Sequence, residues 1–330
     1  MTAQPLEPTR TRQIILDVYP AFGLLAAIKV GVFTALGEGP ATVDEAAARL
    51  GLEPVRLTQL MYLMVDAGML EHRDGRFHNT PESDQFLVRG KPTYIGGMHE
   101  LWEQIWTGAL QTAGSIVEGA PRRRWMSLPD ADKESYLRGL GVLSRTIGVE
   151  LTSRWDLGRY RSVVDVAGGS GKLVQAVIER VPGMRGAVLE HPITVEVTRR
   201  LLAEEGAGER IEVIAADAVD GELTGTWDVA VVRNFIQMLD EVEAERALAN
   251  IARIVAPGGC LFVCDMILDD DRLGPRAVLR LGIIFVNFFD RTPMYTESQY
   301  RRWLERAGFV DIERVQSPIG HVILRAEKPA

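Results

Sequence analysis

Between residues 13 and 117 apolar side chains return at spacings of three and four, first in Ile14, Ile15 and Val18 and then in Leu24, Leu25, Ile28, Val32 and Leu36. That period lines one face of an α-helix, so this part of the chain is predicted to be almost entirely helical. Thr42 and Glu45 have the spacing of a capping box, which satisfies orphan N–H groups at the start of a helix running through residues 46–50, and Gly51 marks its end. After Pro54, Leu57, Leu60, Met61, Met64 and Val65 form a further amphipathic stripe. Residues 68–78 then read as two short strands around Asp74 and Gly75, a pair that suits a tight hairpin turn. Helix, helix, hairpin is the order of a winged helix.

From about residue 160 the pattern changes. Apolar runs of strand length at 162–166, 185–190, 211–215, 227–232 and 260–265 alternate with helical segments. The alternation predicts a parallel sheet covered by helices. The expected fold is α/β, a doubly wound, mostly parallel, Rossmann-like sheet preceded by an α-rich winged-helix-like domain. The expected division is residues 1–115 for the N-terminal domain, 116–158 for a helical connector and 159–330 for the α/β domain. Ligands in such sheets sit beyond the carboxyl ends of the strands.

The chain has 330 residues, more than one core usually organises, which agrees with two packed units. A content of 46% apolar and 25% charged residues excludes disorder and fibrous repeats. Lys and Arg number 37 against 45 Asp and Glu, and the net charge of −8 opposes nonspecific attraction to nucleic acid or anionic lipid. The first eight residues lack a basic segment followed by an apolar stretch, and no uncharged apolar run reaches the roughly 18 residues of a membrane span. A cytoplasmic protein without membrane or nucleic-acid partners is expected. Cys260 and Cys264 fall in one strand-like run. Four residues of strand separate them by about 13 Å, too far for a disulfide. Both read as buried thiols, and no metal site is expected.

A winged helix invites a DNA-binding reading, that of a ligand-responsive regulator. The helix that would enter the groove, residues 55–67, carries one cation, Arg56, and is otherwise apolar, uncharged or acidic. A partner-facing or dimer-facing role is therefore expected. Residues 94–106 gather Tyr94, Met98, His99, Trp102 and Trp106, large side chains that suit a helix core or a cavity wall. The run Arg122, Arg123 and Arg124 reads as a solvated loop.

The strongest local signal is a buried strand carrying Asp165 that runs through Ala167, Gly168, Gly169, Ser170 and Gly171 into a helix at Lys172. Three glycines allow a ligand close to the backbone, and a helix N-terminus offers unpaired N–H groups. A P-loop is excluded, because Val166 stands for its first glycine and Leu173 for its Ser or Thr. The dinucleotide fingerprint is also broken, with Val174 where its third glycine belongs. Glu190 ends the second strand, 19 residues after Gly171, where an acidic side chain accepts ribose hydroxyl protons. Asp217 follows the third strand and Arg233 the fourth. Acids near an adenosine and a cation near a carboxylate suit a nucleoside joined to an amino acid.

These residues resemble the class I S-adenosylmethionine-dependent methyltransferases, specifically the small-molecule O-methyltransferases of plant phenylpropanoid and bacterial polyketide-tailoring type. The resemblance covers nearly the whole chain: residues 25–36 and 42–50, the stretch Thr80, Pro81, Glu82 and Ser83, the glycine turn, Pro257-Gly258-Gly259, and residues 303–309. Ala167 departs from it, standing where the family usually has glycine. The resemblance implies a homodimer formed through the N-terminal half. It further implies that S-adenosyl-L-methionine is bound by Asp165, Gly168, Gly169, Gly171, Glu190, Asp217, Ala218 and Arg233. The acceptor would be a small, aromatic or polycyclic metabolite of antibiotic or other secondary metabolism, lined by Met98, Trp102, Trp106, Gln237, Ile283, Asn287 and Met294.

Methyl transfer from a sulfonium is an in-line displacement, so holding the nucleophile and excluding water are the main demands. A phenol with a pKa near 10 also needs its proton removed. The family places a His-Asp pair after the fourth strand, and this chain has Gln237 and Met238 there. An amide does not titrate near neutrality, so Gln237 is expected to orient a substrate rather than carry a proton. Asp265 matches one acid that flanks the histidine in plant members, whereas Met294 stands at the other. Three outcomes follow: methylation of a nucleophile that needs no strong base, a non-methylating enzyme on the same scaffold such as a decarboxylase, hydroxylase or pericyclase, or substitution of the base by His99 or Asp265. His72, His78, His191 and His321 show no companion in sequence. Residues 279–290 form an apolar helical element in which Asn287 is the polar exception, placed to bond an acceptor ring substituent.

Overall fold

The computed structural model of the protein describes residues 7–91, 93–119, 128–288 and 294–330. The chain divides into two compact units, Met1–Glu103 and Gln104–Ala330. That division precedes the expected boundary at 115. The described part of the expected connector belongs to the second unit.

The first unit contains α1 (Thr9–Leu16), α2 (Tyr19–Val30), α3 (Val32–Gly37), α4 (Val43–Leu50), α5 (Pro54–Asp66), a hairpin of β1 (Leu70–Arg73) and β2 (Arg76–Asn79), and α6 (Pro81–Leu87), with α7 (His99–Ala109) beginning at its end. The capping box at α4 forms as the spacing predicts: Glu45 N–H donates to Thr42 Oγ1 at 3.2 Å and Thr42 N–H to Glu45 Oε2 at 2.9 Å. Glu45 also takes Arg76 of the hairpin at 2.7 Å, which ties the wing to the helix. Asp74 and Gly75 adopt φ of +52° and +73°, the left-handed pair that lets a two-residue turn follow the twist of its strands. Phe33, Met61, Met64, Leu70 and Phe77 form the buried centre. α1 buries nothing, and Ile14 and Ile15 are 58% and 60% exposed. Residues Thr9–Val30 are long and apolar enough to cross a membrane by length and composition alone, with Arg10, Arg12, Asp17 and Lys29 among them.

The second unit adds α8 (Thr112–Glu118), α9 (Asp130–Arg154), β3 (Ser162–Val166), α10 (Lys172–Arg180), β4 (Arg185–Glu190), α11 (Val195–Glu204), β5 (Ile211–Ala215), β6 (Trp227–Arg233), α12 (Glu241–Ile254), β7 (Val255–Asp265), α13 (Arg276–Phe288), α14 (Glu297–Arg306), β8 (Val310–Gln316) and β9 (Val322–Glu327). One seven-stranded sheet has the order β5-β4-β3-β6-β7-β9-β8. β3 to β7 are parallel, and β9 runs antiparallel to both β7 and β8. The doubly wound, mostly parallel expectation holds. Its reversal point lies between β3 and β6, where the chain winds away in both directions. β8 carries no continuous apolar signal, alternating Val310, Ile312 and Val315 with charged neighbours, because it is a half-solvated edge.

Apolar residues on both faces of β3, β6 and β7 separate two cores. Trp227, Leu248, Ile251 and Trp303 lie in one, and Ile147, Leu173, Val177 and Phe262 in the other. α9 approaches α10 closely because Gly139, Gly141, Ser144 and Gly148 present small side chains. A Cβ at Gly148 would lie 2.6 Å from the carbonyl oxygen of Leu173, so only glycine fits there.

Candidate active site

β3 delivers the chain into the glycine turn beyond the carboxyl ends of the parallel strands. Ala167 donates its N–H to Leu189 O at 2.8 Å, pinning the start of the turn to the neighbouring strand. Ala167 itself adopts φ +57°, the left-handed conformation that glycine takes without cost. Gly169 N–H donates to Glu190 Oε2 at 2.9 Å and His191 N–H to Oε1 at 2.8 Å. The turn and the carboxylate at 190 are thus one fastened unit. Glu190 is buried, and burial raises its pKa while the two N–H bonds oppose the shift. Each oxygen of a carboxylate holds a further acceptor site, so two hydroxyl donors are still accommodated.

Asp165 and Arg233 end neighbouring strands. Asp165 is 2% exposed, and a Cβ at Gly168 would lie 2.7 Å from its carboxyl, so glycine lets the turn fold over this side chain. Burial pushes the Asp165 pKa up to about 8, with Arg233 lowering it and Glu190 adding to the rise. Burial lowers the pKa of Arg233, opposed by Cys264 and Asp165. Arg233 donates from Nη1 to Ser144 Oγ of α9 at 2.9 Å. Its Nε and Nη2, and Oδ1 of Asp165, are buried with no hydrogen-bond partner among the described residues. Orphaned donors on a cation and an orphaned acceptor on an acid, side by side, form the complement of a zwitterionic amino acid, because unpaired buried polar groups are costly until something pairs them.

A second polar cluster joins the ends of β6 and β7. Gln237 is buried; its backbone N–H donates to Asp265 Oδ2 at 3.0 Å, and its side-chain Oε1 accepts the N–H of Met266 at 2.6 Å. Gln237 Nε2 donates to Asn234 Oδ1 at 3.4 Å, and the same oxygen lies 2.9 Å from His321 Nε2 of β9's entry. Asp265 has no exposure, and Oδ2 also accepts the Tyr300 hydroxyl at 2.8 Å. Burial lifts the Asp265 pKa to about 6, moderated by Tyr300 and Gln237. This is the setting of a carboxylate that fastens two strand ends. His321, without a visible companion in sequence, finds one in Asn234, and burial together with Arg233 lowers its pKa to about 3.

Asp217 Oδ1 caps its own loop, accepting N–H from Val219 at 2.8 Å and Asp220 at 3.2 Å, and Oδ2 lies 3.7 Å from His191 Nε2. Ala218 is buried, and Asn250 of α12 holds that loop by donating to Ala218 O and Val219 O at 3.2 and 2.8 Å. Asn287 of α13 donates to Thr112 Oγ1 of α8 at 3.0 Å and to Ile283 O at 3.1 Å, so its amide nitrogen serves helix packing. Ile283 is half-exposed, and Met294 lies against Gly282. Trp106 sits on the part of α7 in the second unit. Met98, His99 and Trp102 belong to the first unit, where His99 Nδ1 lies 2.9 Å from Gly96 O, a local helix-entry bond. Phe289, Asp290 and the run Arg122 to Arg124 lie outside the described residues.

Sequence reading missed Ser144, Asn234, Asn250 and Tyr300. Spacing of small residues in α9 was the available signal for Ser144. The others are brought in by tertiary contact alone.

Residues 119–310 match the O-methyltransferase domain, and residues 19–89 match the O-methyltransferase dimerisation domain. Over 320 residues the chain is 28% identical to 3-hydroxy-5-methyl-1-naphthoate 3-O-methyltransferase of Streptomyces sahachiroi, covering 94% of this chain and 91% of that one. It is 27% identical to the N,N-dimethyltransferase OxyT of Streptomyces rimosus, with 100% of both chains covered. The crystal structure of human N-acetylserotonin methyltransferase in complex with SAM has the same fold, with a TM-score of 0.82 at 21% identity and 100% coverage of each chain.

Proposed function

Since the chain belongs to the O-methyltransferase family, we propose that it uses S-adenosyl-L-methionine to methylate a small aromatic or polycyclic secondary metabolite as a homodimer. The observation that carries the cofactor reading is the pairing of orphaned polar atoms on Asp165 and Arg233 beside a glycine turn fastened to Glu190. Arg233 would hold the carboxylate of the methionine part and Asp165 its ammonium, with the backbone of Gly168, Gly169 and Gly171 against the chain between. Glu190 would take the ribose hydroxyls, and Asp217 and Ala218 the adenine side.

S-adenosyl-L-methionine supplies an electrophilic methyl group: a lone pair of the acceptor forms the new bond as the carbon–sulfur bond breaks, and its electrons remain on sulfur. The chain's contribution is to hold the acceptor in line and exclude water. Gln237 occupies the position of the family's base and orients rather than deprotonates. A non-methylating enzyme on the same scaffold is the second reading, favoured by that same replacement.

Calorimetry on ligand-stripped protein tests the cofactor assignment, with S-adenosyl-L-methionine and its demethylated product both expected to bind. Absence of heat with either sinks the proposal. Incubation with a panel of hydroxynaphthoates and phenazines, read by mass spectrometry, separates the two readings: a product heavier by one methyl group supports methylation. A product changed in any other way supports the second reading.

A further inference from the structure

The Gln237 amide has one allowed orientation. Oε1 faces the Met266 N–H at 2.6 Å and Nε2 faces Asn234 Oδ1 at 3.4 Å. Flipping it would set donor against donor and acceptor against acceptor in a buried site, leaving both bonds unmade where water cannot replace them. Asn234 is fixed in turn. Its backbone adopts φ +52°, its N–H donates to Cys264 O at 3.2 Å, and its Oδ1 lies 2.9 Å from His321 Nε2. Because that oxygen accepts, His321 Nε2 must carry the hydrogen. His321 is 3% exposed, and its backbone carbonyl receives Ser317 N–H at 2.8 Å and Gln316 Nε2 at 3.0 Å, which fixes the main chain that carries the buried ring.

This chain of bonds determines what Gln237 has left to offer. Oε1 is committed to a short backbone bond, which polarises the amide and strengthens its nitrogen as a donor. The second hydrogen on Nε2 is not consumed by any bond within the described residues. Asp265 at the same strand ends has no solvent exposure and takes two donors on Oδ2, while its Oδ1 is buried with no partner among the described residues. The Gln237 amide therefore favours an oxygen that already carries negative charge and cannot itself take the proton that creates it.

We propose that Gln237, positioned by Asn234 and His321, donates a hydrogen bond to an acceptor bound as its oxyanion, and that the acceptors are acidic hydroxyls conjugated to a carbonyl. This deepens the methyltransferase reading and rests on it. Such a hydroxyl gives up its proton to solvent before binding, so no protein base is required. An ordinary phenol, mostly protonated at neutral pH, would bind without transferring efficiently.

The probes are 2-hydroxy-1,4-naphthoquinone, an anion at neutral pH, and its neutral 2-methoxy ether. Their binding to protein saturated with S-adenosylhomocysteine is measured by tryptophan quenching. The anion is expected to bind about ten-fold or more tightly than the ether. Gln237→Met, which removes the donor, should erase that preference by bringing the anion's affinity down to that of the ether. His321→Leu should reduce the preference several-fold, and His321→Gln, which keeps an N–H donor, should restore most of it. Equal binding of the two probes, no binding of the anion up to millimolar concentration, or a Gln237→Met variant that weakens both alike overturns the proposal. Calorimetry of S-adenosylhomocysteine on the same samples keeps the failures apart: no cofactor binding removes the methyltransferase reading, whereas cofactor binding without anion preference removes this inference alone.

Discussion

At the scale of single residues the glycine turn is where small changes have large effects. Ala167 holds a left-handed backbone that costs a non-glycine residue roughly 1–2 kcal/mol. Ala167→Gly is expected to stabilise the protein modestly, by up to about 1 kcal/mol after the entropy of the unfolded glycine is counted. Urea unfolding would show a raised midpoint, and a lowered one would mean that the Ala167 methyl packs productively. Gly168→Ala goes the other way, since its new methyl meets the Asp165 carboxyl at 2.7 Å. The expected result is about 1–3 kcal/mol of lost stability and weakened cofactor binding, both read by melting with and without S-adenosylhomocysteine. Glu190→Ala should loosen the turn and weaken cofactor affinity together, because the same carboxylate holds Gly169. Unchanged affinity in calorimetry would remove Glu190 from the ribose contact.

At the scale of elements, the ends of β3, β6, β7 and β9 concentrate buried titratable groups, and these make stability depend on pH from both sides. Asp165 has a folded pKa of about 8 against an ordinary 3.8, so the folded state binds its proton more tightly. Its contribution is intact below the ordinary value and is lost as pH rises through 8. His321 is opposite, with a folded pKa of about 3 against 6.5. Its contribution is intact above 6.5 and is lost as pH falls toward 3. Below about pH 6.5 the two oppose each other and nearly cancel, so unfolding of ligand-free protein should show little change between about pH 5 and 6.5 and a clear fall by about 8.5. Asp165→Asn should lessen the fall toward pH 8.5, and His321→Gln, which removes the opposing group, should let the decline begin already at pH 5; a profile unchanged in both variants would place the pH dependence elsewhere.

At the scale of the whole molecule, two units with separate cores allow two unfolding transitions. A ligand held by strand ends of the second unit should raise only the transition that melts that unit. The expected gain is about 2.7 kcal/mol at roughly a hundred-fold excess over Kd. Calorimetric scans with S-adenosylhomocysteine check this, and a single transition that rises as a whole would show that the units unfold as one. Residues 19–89 match the dimerisation domain, and sedimentation should give a dimer.

Much of this organisation was legible in the chain. Strand bounds at 162–166, 185–190 and 211–215, the Thr42 capping box and the Asp74-Gly75 turn follow from local periodicity and turn chemistry, which act over a few neighbouring residues. The glycine turn and its distance to Glu190 were equally local. Edge strand β8 was hidden because its side chains face water as often as core. Only tertiary structure decided that Ser144 meets Arg233 across 89 residues and that His321 meets Asn234 across 87. Such pairings depend on how helices and strands stack, and no short-range pattern encodes them. Sequence determined which chemical groups stand at the strand ends; packing decided which of their bonds are already made, and hence which remain for a ligand.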